Sequence, residues 1–335
     1  MNYNLIPLFL FINFTFIFFY KKISLYFNLY YQNENNKEIK NTIPLTGGLI
    51  IIYNFLVFIL INYFHDLQII DKRFFTNNRE FFSLVFIPLF FYFFGYLDDK
   101  FNINANIKLF TVSFFIIFTF FLDNNFIISK LSLSFLNNSI LLFNLSMFIT
   151  VLSCLLFINA INMFDGIDLQ VGTYSIIILS IFIFKSVFIN LSLVLILSIL
   201  LFLFFNFKKK SYLGNSGVMF LGYFFSYLFI KTNNLNSNIF KADEIFVIMI
   251  VPGLDLLRLF CCRVLNGKHP FKRDNRHIHH LLLNIFSHRQ SYLIIQTFII
   301  FSIFGYYFMY YKIYFIIFLV IFYFLVIYFL TKKKV

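Results

Sequence analysis

Long apolar runs rich in Phe, Leu and Ile alternate with short polar segments along the whole chain. Eleven of these runs approach the ~20 residues that cross a hydrocarbon core as an α-helix. They lie near residues 4–20, 46–63, 82–97, 107–122, 139–158, 171–185, 187–206, 217–231, 244–260, 292–310 and 313–331. Several runs are short, so ten spans are the alternative count. The pattern predicts an all-α polytopic membrane protein, a bundle of about ten or eleven transmembrane helices, with residues 1–335 forming a single integral-membrane domain.

Composition supports the membrane interpretation. Of the 335 residues, 61% are hydrophobic and only 12% are charged, and the mean hydropathy is +0.84. A soluble domain carries roughly 25% charged residues. No small-residue cleavage signature follows the first apolar run, which is therefore predicted to be a retained helix. The three cysteines lie in or beside apolar runs, so neither a disulfide framework nor a cysteine-based zinc site is expected.

Basic residues divide unevenly between two alternating sets of loops. Eleven spans place 19 of the 27 Lys and Arg residues in one set and 8 in the other. Cytoplasmic loops carry an excess of basic residues, so the first set is predicted to be cytoplasmic, with the N-terminus outside and the C-terminus inside. The net charge of +13 then favours contact with anionic lipid or a polyanionic substrate at that face. No nucleic-acid-binding module is evident, and nucleic acid is not an expected partner.

Five polar clusters fall in the predicted cytoplasmic loops. In the first, PLTGG, Gly47 and Gly48 allow close backbone approach. In the second, GYLDDK, Asp98 and Asp99 end a span and Lys108 follows. Neighbouring carboxylates repel each other unless a cation lies beside them, and Mg²⁺ prefers a few carboxylates together with phosphate oxygens and water. The second cluster therefore indicates a magnesium site, and a solvated helix end is the alternative interpretation.

The third cluster, NAINMFDGIDLQVG, has a polar residue at every third position: Asn159, Asn162, Asp165 and Asp168. Charge at the edge of hydrocarbon is expensive and is usually functional. Adjacent members share a face of an ideal helix, and Gly166 is predicted to break the helix so that both aspartates turn into one pocket. In the fourth cluster, LGNSG, small residues would let backbone N–H groups face an anion at the start of the next span.

The fifth cluster is the loop HPFKRDNRHIHH with its flanks, which hold five of the six histidines. In RHIHH, His277 and His280 would lie near one another if the segment is helical. Zinc ligation is one interpretation. Recognition of a phosphate or nucleotide by Arg276 and the imidazoles is another, and a solvated basic loop is the third. Because all five clusters fall in the same set of loops, we expect them to form an active site on the cytoplasmic face.

The motifs, in this order and spacing, resemble those of the polyprenyl-phosphate N-acetylhexosamine-1-phosphate transferases of glycosyltransferase family 4. The resemblance covers nearly the whole chain, through PLTGG, GYLDDK, NAINMFDGID, GNSGVMFLG, PGLDLLRLF and KHPFKRDNRHIHHLL. RHIHHLL looks more like the GlcNAc-type branch than the MurNAc-pentapeptide branch. One motif departs from the family: G-D-x-G-S is replaced by GNSGV, with Asn215 in place of a metal-binding Asp. Weaker metal binding or an inactive homologue is therefore an alternative.

The resemblance implies a function. A sugar 1-phosphate, GlcNAc-1-phosphate or a related N-acetylhexosamine, would pass from a UDP-sugar to polyprenyl (undecaprenyl) phosphate in the inner (cytoplasmic) membrane, with release of UMP, initiating cell-envelope glycan synthesis. Mg²⁺ is the implied cofactor, with Mn²⁺ as a substitute, and a homodimer is compatible with the resemblance. A phospho-MurNAc-pentapeptide translocase-type enzyme, an ion-coupled membrane transporter and a non-catalytic lipid-phosphate-binding scaffold are the alternatives. Carboxylates at helix ends, rather than at the bilayer midplane, disfavour the transporter.

Residue roles follow from the same resemblance. The residues expected to be catalytic are Asp98, Asp99, Asp165 and Lys108. The expected metal ligands are Asp98, Asp99, Asn162 and Asn215. The residues expected to bind substrate are Asn159, Asp168, Gly47, Gly48, Arg276, His277, His279 and His280.

The asymmetry of basic residues predicts the orientation of the chain. A reporter fused after Val335 should be cytoplasmic, and one inserted near Asn236 should be external. Paired alkaline phosphatase and green fluorescent protein fusions measure both positions. If both sites report the same side of the membrane, the span count is wrong and the shared face is lost with it.

Overall fold

The structure, a computed structural model, describes residues 5–26, 29–30, 43–65, 75, 77–235, 239–268 and 274–332. Regular structure within these ranges is almost entirely helical. The helices are α1 Leu5–Tyr26, α2 Gly47–His65, α3 Asn78–Phe101, α4 Ala105–Leu122, α5 Ser146–Phe164, α6 Gln170–Phe184, α7 Ile189–Phe207, α8 Gly214–Leu235, α9 Ala242–Ile248, α10 Ile250–Leu265, α11 Ile278–Leu283, α12 His288–Phe308 and α13 Lys312–Lys332. A short antiparallel hairpin pairs β1 Lys130–Leu131 with β2 Ile140–Leu141.

Each of the eleven apolar runs overlaps a helix, and the ninth run is divided into α9 and α10 by an 82° bend. In the described ranges, seven helices are long and apolar enough to cross a membrane: α1, α3, α4, α5, α7, α12 and α13. The bent pair adds an eighth span if it is counted as one, and α2 and α6 are shorter apolar helices. The all-α polytopic membrane fold is confirmed. The count of ten or eleven spans stays a prediction.

The fifth run differs most from its helix. It was placed at residues 139–158, whereas α5 extends over Ser146–Phe164. The apolar pair Ile140 and Leu141 instead forms β2, which hydrogen-bonds to β1. Because α5 begins and ends later, Asn159 and Asn162 lie within the helix and not beyond it.

The chain divides into two compact units, interleaved along the sequence. The first comprises Met1–Ile103 and Val171–Phe224, and the second comprises Asn104–Gln170 and Phe225–Val335. Helix α8 contributes its first half to the first unit and its second half to the second. The prediction of one integral-membrane domain stays a prediction.

Helix α8 is buried on every side from residue 216 to residue 233. In the first unit, Phe55 packs edge-on against Phe220, with ring centroids 5.5 Å apart, and Phe91 stacks on Tyr223 at 4.4 Å. A helix that is covered all round acts as a core element and does not face lipid. Its N-terminal residues are therefore held in place by the packing of the whole helix.

A buried ion pair joins the end of α4 to the second half of α8 in the second unit. Lys231 Nζ lies 2.8 and 2.7 Å from the two carboxylate oxygens of Asp123, and both side chains are fully buried. Tyr227 also donates its hydroxyl to Asp123 Oδ2 at 2.6 Å. Removal of one partner from such a pair leaves a charge in a low-dielectric environment, whereas removal of both need not be costly.

Lys231→Met is expected to destabilise the protein by about 3–5 kcal/mol, because the carboxylate of Asp123 stays buried without its cation. The double variant Asp123→Asn with Lys231→Met should regain most of that loss. Unfolding by SDS titration of the detergent-solubilised protein measures both effects. Lys210→Met, at an exposed lysine, is the matched control and should be close to neutral. A single variant as stable as the double variant would show that the pair contributes little.

Candidate active site

The motif GYLDDK forms the last turns of α3. Asp98 is buried, with 6% of its surface exposed, whereas Asp99 is partly exposed. The helix stops at Asn102, which adopts a left-handed conformation (φ 48°) and donates its N–H to the carbonyl of Asp98. A fully solvated helix end, the alternative interpretation of this cluster, is therefore excluded for Asp98.

Asp99 is hydrogen-bonded to the first backbone amides of α8. Its Oδ1 accepts from the N–H of Asn215 at 3.0 Å, and its Oδ2 accepts from the N–H of Ser216 at 3.3 Å. The first amides of a helix have no partner inside it, and the helix dipole favours negative charge there. The fourth cluster thus faces an anion, as its small residues predicted, and the anion is the protein's own carboxylate.

Glycines let α2 and α3 approach the start of α8. A Cβ added to Gly95 would lie 2.4 Å from the carbonyl oxygen of Asn215, and a Cβ on Gly48 would lie 2.5 Å from the backbone nitrogen of Gly217. A side chain at either position would displace α8 from Asp99. Gly214 adds a backbone requirement, because its φ of +73° favours glycine. The PLTGG motif therefore contributes to the packing of this site, and the roles of Gly47 and Gly48 in substrate binding stay predictions.

These contacts bring the first, second and fourth clusters together in the first unit. Their donor set suits Mg²⁺, which commonly takes one or two carboxylates and completes its shell with phosphate and water. Within the described ranges, no group of three or more His, Cys, Asp or Glu side chains is arranged to hold a metal. The residues present therefore fit Mg²⁺ by the chemistry of their oxygen donors, and the metal itself stays a prediction.

The third cluster lies at the end of α5 in the second unit. Asn159 and Asn162 are on the last turns of the helix, and Asp165 is its C-terminal cap residue. The break predicted at Gly166 is confirmed, since α5 ends two residues before it. Asp165 is exposed and Asp168 is partly exposed. The predicted role of Asn162 as a metal ligand stays a prediction.

Gly166 brings the third cluster into contact with the fifth. A Cβ on Gly166 would lie 2.1 Å from Nε2 of His279 and within 2.5 Å of two carbon atoms of the same ring. The backbone of the loop after α5 therefore packs directly on the imidazole, and only glycine leaves room for it. The structure thus places these two clusters side by side within the second unit, as expected of polar loops on one face.

The RHIHH motif leads into α11 and is held by a carboxylate to which sequence reasoning assigned no role. Asp255 of α10 is buried, and its Oδ2 lies 2.7 Å from Nδ1 of His277. Its Oδ1 accepts from the N–H of Ile278 at 3.1 Å, from Arg258 Nη2 at 2.7 Å and from the Tyr323 hydroxyl at 2.9 Å. The signal that could have identified Asp255 is a charge three residues before an arginine within an apolar run.

Arg276 is paired with Asp274 of the same loop. Its Nε lies 3.0 and 2.9 Å from the two carboxylate oxygens, and its Nη2 lies 2.6 Å from Oδ2. The hydrogen bond from Arg276 lowers the pKa of Asp274 to about 2, so this carboxylate is ionised at neutral pH. The guanidinium is 47% exposed, and its charge is partly offset by Asp274. Residues 269–273, including His269, lie outside the described residues.

Two histidines of RHIHH, His279 and His280, have pKa values below the usual range. Burial, together with the neighbouring His280 and His277, lowers the pKa of His279 to about 3. Burial also lowers the pKa of His280. His279 is therefore a neutral imidazole at neutral pH, with its ring parallel to that of His277 at a centroid distance of 5.6 Å.

Lys108 lies in the first turn of α4, in the second unit, and is partly exposed. Asn104 caps this helix by accepting from the N–H of Asn106 at 3.1 Å. The expected contact of Lys108 with phosphate stays a prediction.

Comparison with known proteins agrees with these motifs. The sequence model described as glycosyl transferase family 4 matches residues 81–233, which include the second, third and fourth clusters. A probable undecaprenyl-phosphate N-acetylglucosaminyl 1-phosphate transferase of Bacillus subtilis (strain 168) is 29% identical, over 84% of this chain and 78% of the relative. The undecaprenyl-phosphate alpha-N-acetylglucosaminyl 1-phosphate transferase of Yersinia pestis is 24% identical, over 88% of this chain and 80% of the relative. The protein of that name from Escherichia coli O157:H7 is 25% identical, over 87% and 79%. The chain therefore resembles glycosyl transferase family 4 over residues 81–233, and it is similar to these transferases over most of its length.

Proposed function

We propose that this protein transfers a sugar 1-phosphate, GlcNAc-1-phosphate or a related N-acetylhexosamine, from a UDP-sugar to a polyprenyl phosphate and releases UMP. The observation that carries the proposal is the pair Asp98 and Asp99 at the end of α3, with Asp99 fixed by the amides of α8. Relatives that align over most of both chains are named for this transfer to undecaprenyl phosphate. In this role the protein would act at the cytoplasmic face of the inner membrane and initiate synthesis of an envelope glycan.

The transfer joins two anions. A phosphate oxygen of the lipid attacks the β-phosphorus of the UDP-sugar, the bond from that phosphorus to the bridging oxygen breaks, and UMP leaves with the electron pair. Catalysis of such a step depends mainly on positioning and electrostatics. Asp98 and Asp99 orient the acceptor phosphate or accept its proton. Asp99 is held by two amides and keeps a fixed direction, so little reorganisation is needed.

Mg²⁺, with Mn²⁺ as a substitute, would be held by Asp98, Asp99 and Asn215 and would offset negative charge on the diphosphate. The protein's own contribution is geometric. Gly48 and Gly95 let α8 approach closely enough for its amides to hold Asp99. The neutral carboxamide of Asn215 offers a carbonyl oxygen without adding a third negative charge.

The second unit offers groups for the sugar nucleotide. Arg276 presents an exposed guanidinium, whose geometry matches phosphate oxygens, and His277 lies beside it. The contact between Gly166 and His279 places the loop carrying Asp165 next to this motif. Asp165 and Asp168 can accept hydrogen bonds from hydroxyl or amide groups of the nucleotide. A MurNAc-pentapeptide substrate is the second candidate within the family, and the names of the relatives favour GlcNAc.

The proposal is tested with purified protein, Mg²⁺, polyprenyl phosphate and a panel of UDP-sugars, scored for UMP. We expect release that depends on the lipid and on one N-acetylhexosamine nucleotide. Omission of the lipid controls for hydrolysis of the donor. Absence of UMP with every donor, from protein that is folded and monodisperse, would overturn the proposal.

Asp99→Asn should lower turnover by about 10²–10⁴-fold, because it removes the charge that orients the acceptor or accepts its proton. The carbonyl oxygen of Asn can still accept from the N–H of Asn215, as Oδ1 of Asp99 does, so the fold should persist although the longer bond to Ser216 is lost. Turnover and thermal unfolding are measured on the same preparation. Near-native UMP release from a folded Asp99→Asn protein would remove Asp99 from the reaction.

If Asn215 is a metal ligand, substitutions at this position should alter how activity depends on the Mg²⁺ concentration. Asn215→Asp adds a negative charge beside Asp99 and should lower the Mg²⁺ concentration that gives half-maximal activity. Asn215→Ala removes the carbonyl ligand and should raise that concentration or abolish activity. Maximal turnover can change in either direction, since tighter metal binding also stabilises the ground state. Identical Mg²⁺ titrations of all three forms would exclude Asn215 from the metal site.

A further inference from the structure

Asp255 is a buried charge to which the proposed reaction assigns no task. It lies on α10, only 5% exposed, and an ionised group at such a position is costly unless it is fully hydrogen-bonded. Four donors meet this requirement, three of them at Oδ1 and one at Oδ2. The donor at Oδ2 is His277, the first histidine of RHIHH. This bond indicates that the carboxylate positions the imidazole ring of His277.

The hydrogen bonds determine which nitrogen of His277 carries a hydrogen. An ionised carboxylate only accepts, so Nδ1 of His277, 2.7 Å from Asp255 Oδ2, must be the donor. When one nitrogen of an imidazole is committed in this way, the other takes a defined role toward a ligand. Nε2 then presents a lone pair in the neutral ring and a hydrogen in the charged ring.

Arg258 and Tyr323 fix Asp255 in turn. Arg258 donates to Asp255 through Nη2 and to the oxygen of Tyr323 through Nε at 3.3 Å. Because that oxygen accepts from Arg258, the Tyr323 hydroxyl hydrogen is directed to Asp255 at 2.9 Å. Nη2 of Arg258 also donates to the carbonyl of Arg276 at 2.6 Å, directly before His277. Both the carboxylate and the main chain of the motif are therefore held from α10 and α13.

We propose that Asp255, fixed by Arg258 and Tyr323, is a positioning residue that holds His277 with its hydrogen on Nδ1 and aims Nε2 at the bound sugar nucleotide. The identity of the ligand rests on the proposed function. The position of the hydrogen on the His277 ring does not depend on the proposed function. The claim about the ring and the claim about the ligand can therefore fail separately.

The ring is examined directly by long-range ¹H–¹⁵N correlation spectra of ¹⁵N-histidine-labelled protein in nanodiscs, with His277→Gln to assign the signal. The wild-type spectrum should show a hydrogen on Nδ1. Asp255→Asn should shift His277 toward the form with its hydrogen on Nε2. A wild-type ring without a hydrogen on Nδ1 overturns the proposal, even if Asp255→Asn fails to fold. An unchanged His277 signal in folded Asp255→Asn overturns it as well.

Two matched variants separate positioning from general loss of structure. Tyr323→Phe removes one bond to Oδ1 but leaves the bond between Asp255 and His277, so the hydrogen should stay on Nδ1. Asp274→Asn removes a carboxylate of the loop itself, which accepts a hydrogen bond from Arg276. This substitution should also leave the hydrogen of His277 on Nδ1. Loss of the Nδ1 hydrogen in Asp274→Asn would show that the loop, and not Asp255, sets the state of the ring.

Kinetics test whether Asp255 acts through His277. Asp255→Asn should lower kcat/KM for the UDP-sugar by about tenfold or more, within the range of coupling between contacting residues. In a His277→Gln background the same substitution should cost no more than about threefold. Equal losses in both backgrounds would show that Asp255 acts independently of His277. If the wild-type protein releases no UMP, the proposed function fails while the spectroscopic result still stands.

Discussion

A charge at the edge of hydrocarbon must be compensated by the protein, because the bilayer offers no water to do so. Asp99, Asp123 and Asp255 are three of the aspartates that meet this requirement with donors from elsewhere in the chain. Asp99 is held by backbone amides of α8, Asp123 by Lys231 and a tyrosine, and Asp255 by an arginine, a tyrosine and a histidine ring. The first and third lie in segments that resemble motifs of the family, and the direction of each carboxylate is fixed by its donors. Charge compensation and the alignment of functional groups are therefore achieved by the same hydrogen bonds.

These hydrogen bonds require backbones to approach closely, and glycine makes the approach possible. Helices in a membrane associate through close packing, since lipid is as apolar as a leucine side chain. Gly48 and Gly95 bring α2 and α3 to the start of α8, and Gly166 brings the end of α5 to the ring of His279. A methyl group at any of the three would overlap a neighbouring atom. The arrangement of the polar clusters thus depends on neighbouring glycines, which leave room for close backbone contact.

Local sequence patterns predicted the positions of the helices well. They did not predict which residues of different helices bond to each other. The apolar runs located all the long helices, and Gly166 correctly marked the end of α5. The bend between α9 and α10 was missed, although Pro252 stands just after it and cannot donate to the preceding turn. The bond between Asp99 and α8 joins residues 116 positions apart, and hydropathy carries no information about such a pairing. The contacts of Asp255 with His277 and Tyr323 are also distant in sequence, and only its pairing with Arg258, three residues on, is local.

In the proposed reaction, charge repulsion and metal binding place opposite demands on Asn215 at the start of α8. Its backbone N–H already bonds Asp99, so a carboxylate at this position would add a third negative charge beside Asp98 and Asp99. For a separation of ~6 Å and an effective dielectric constant of ~20, one such repulsion is ~3 kcal/mol. The amide avoids that repulsion in the metal-free protein and gives up an attraction toward a dication that is about twice as large at the same distance. In the proposed reaction, the diphosphate of the donor would then supply the missing negative charge. The metal would bind tightly only together with its substrate.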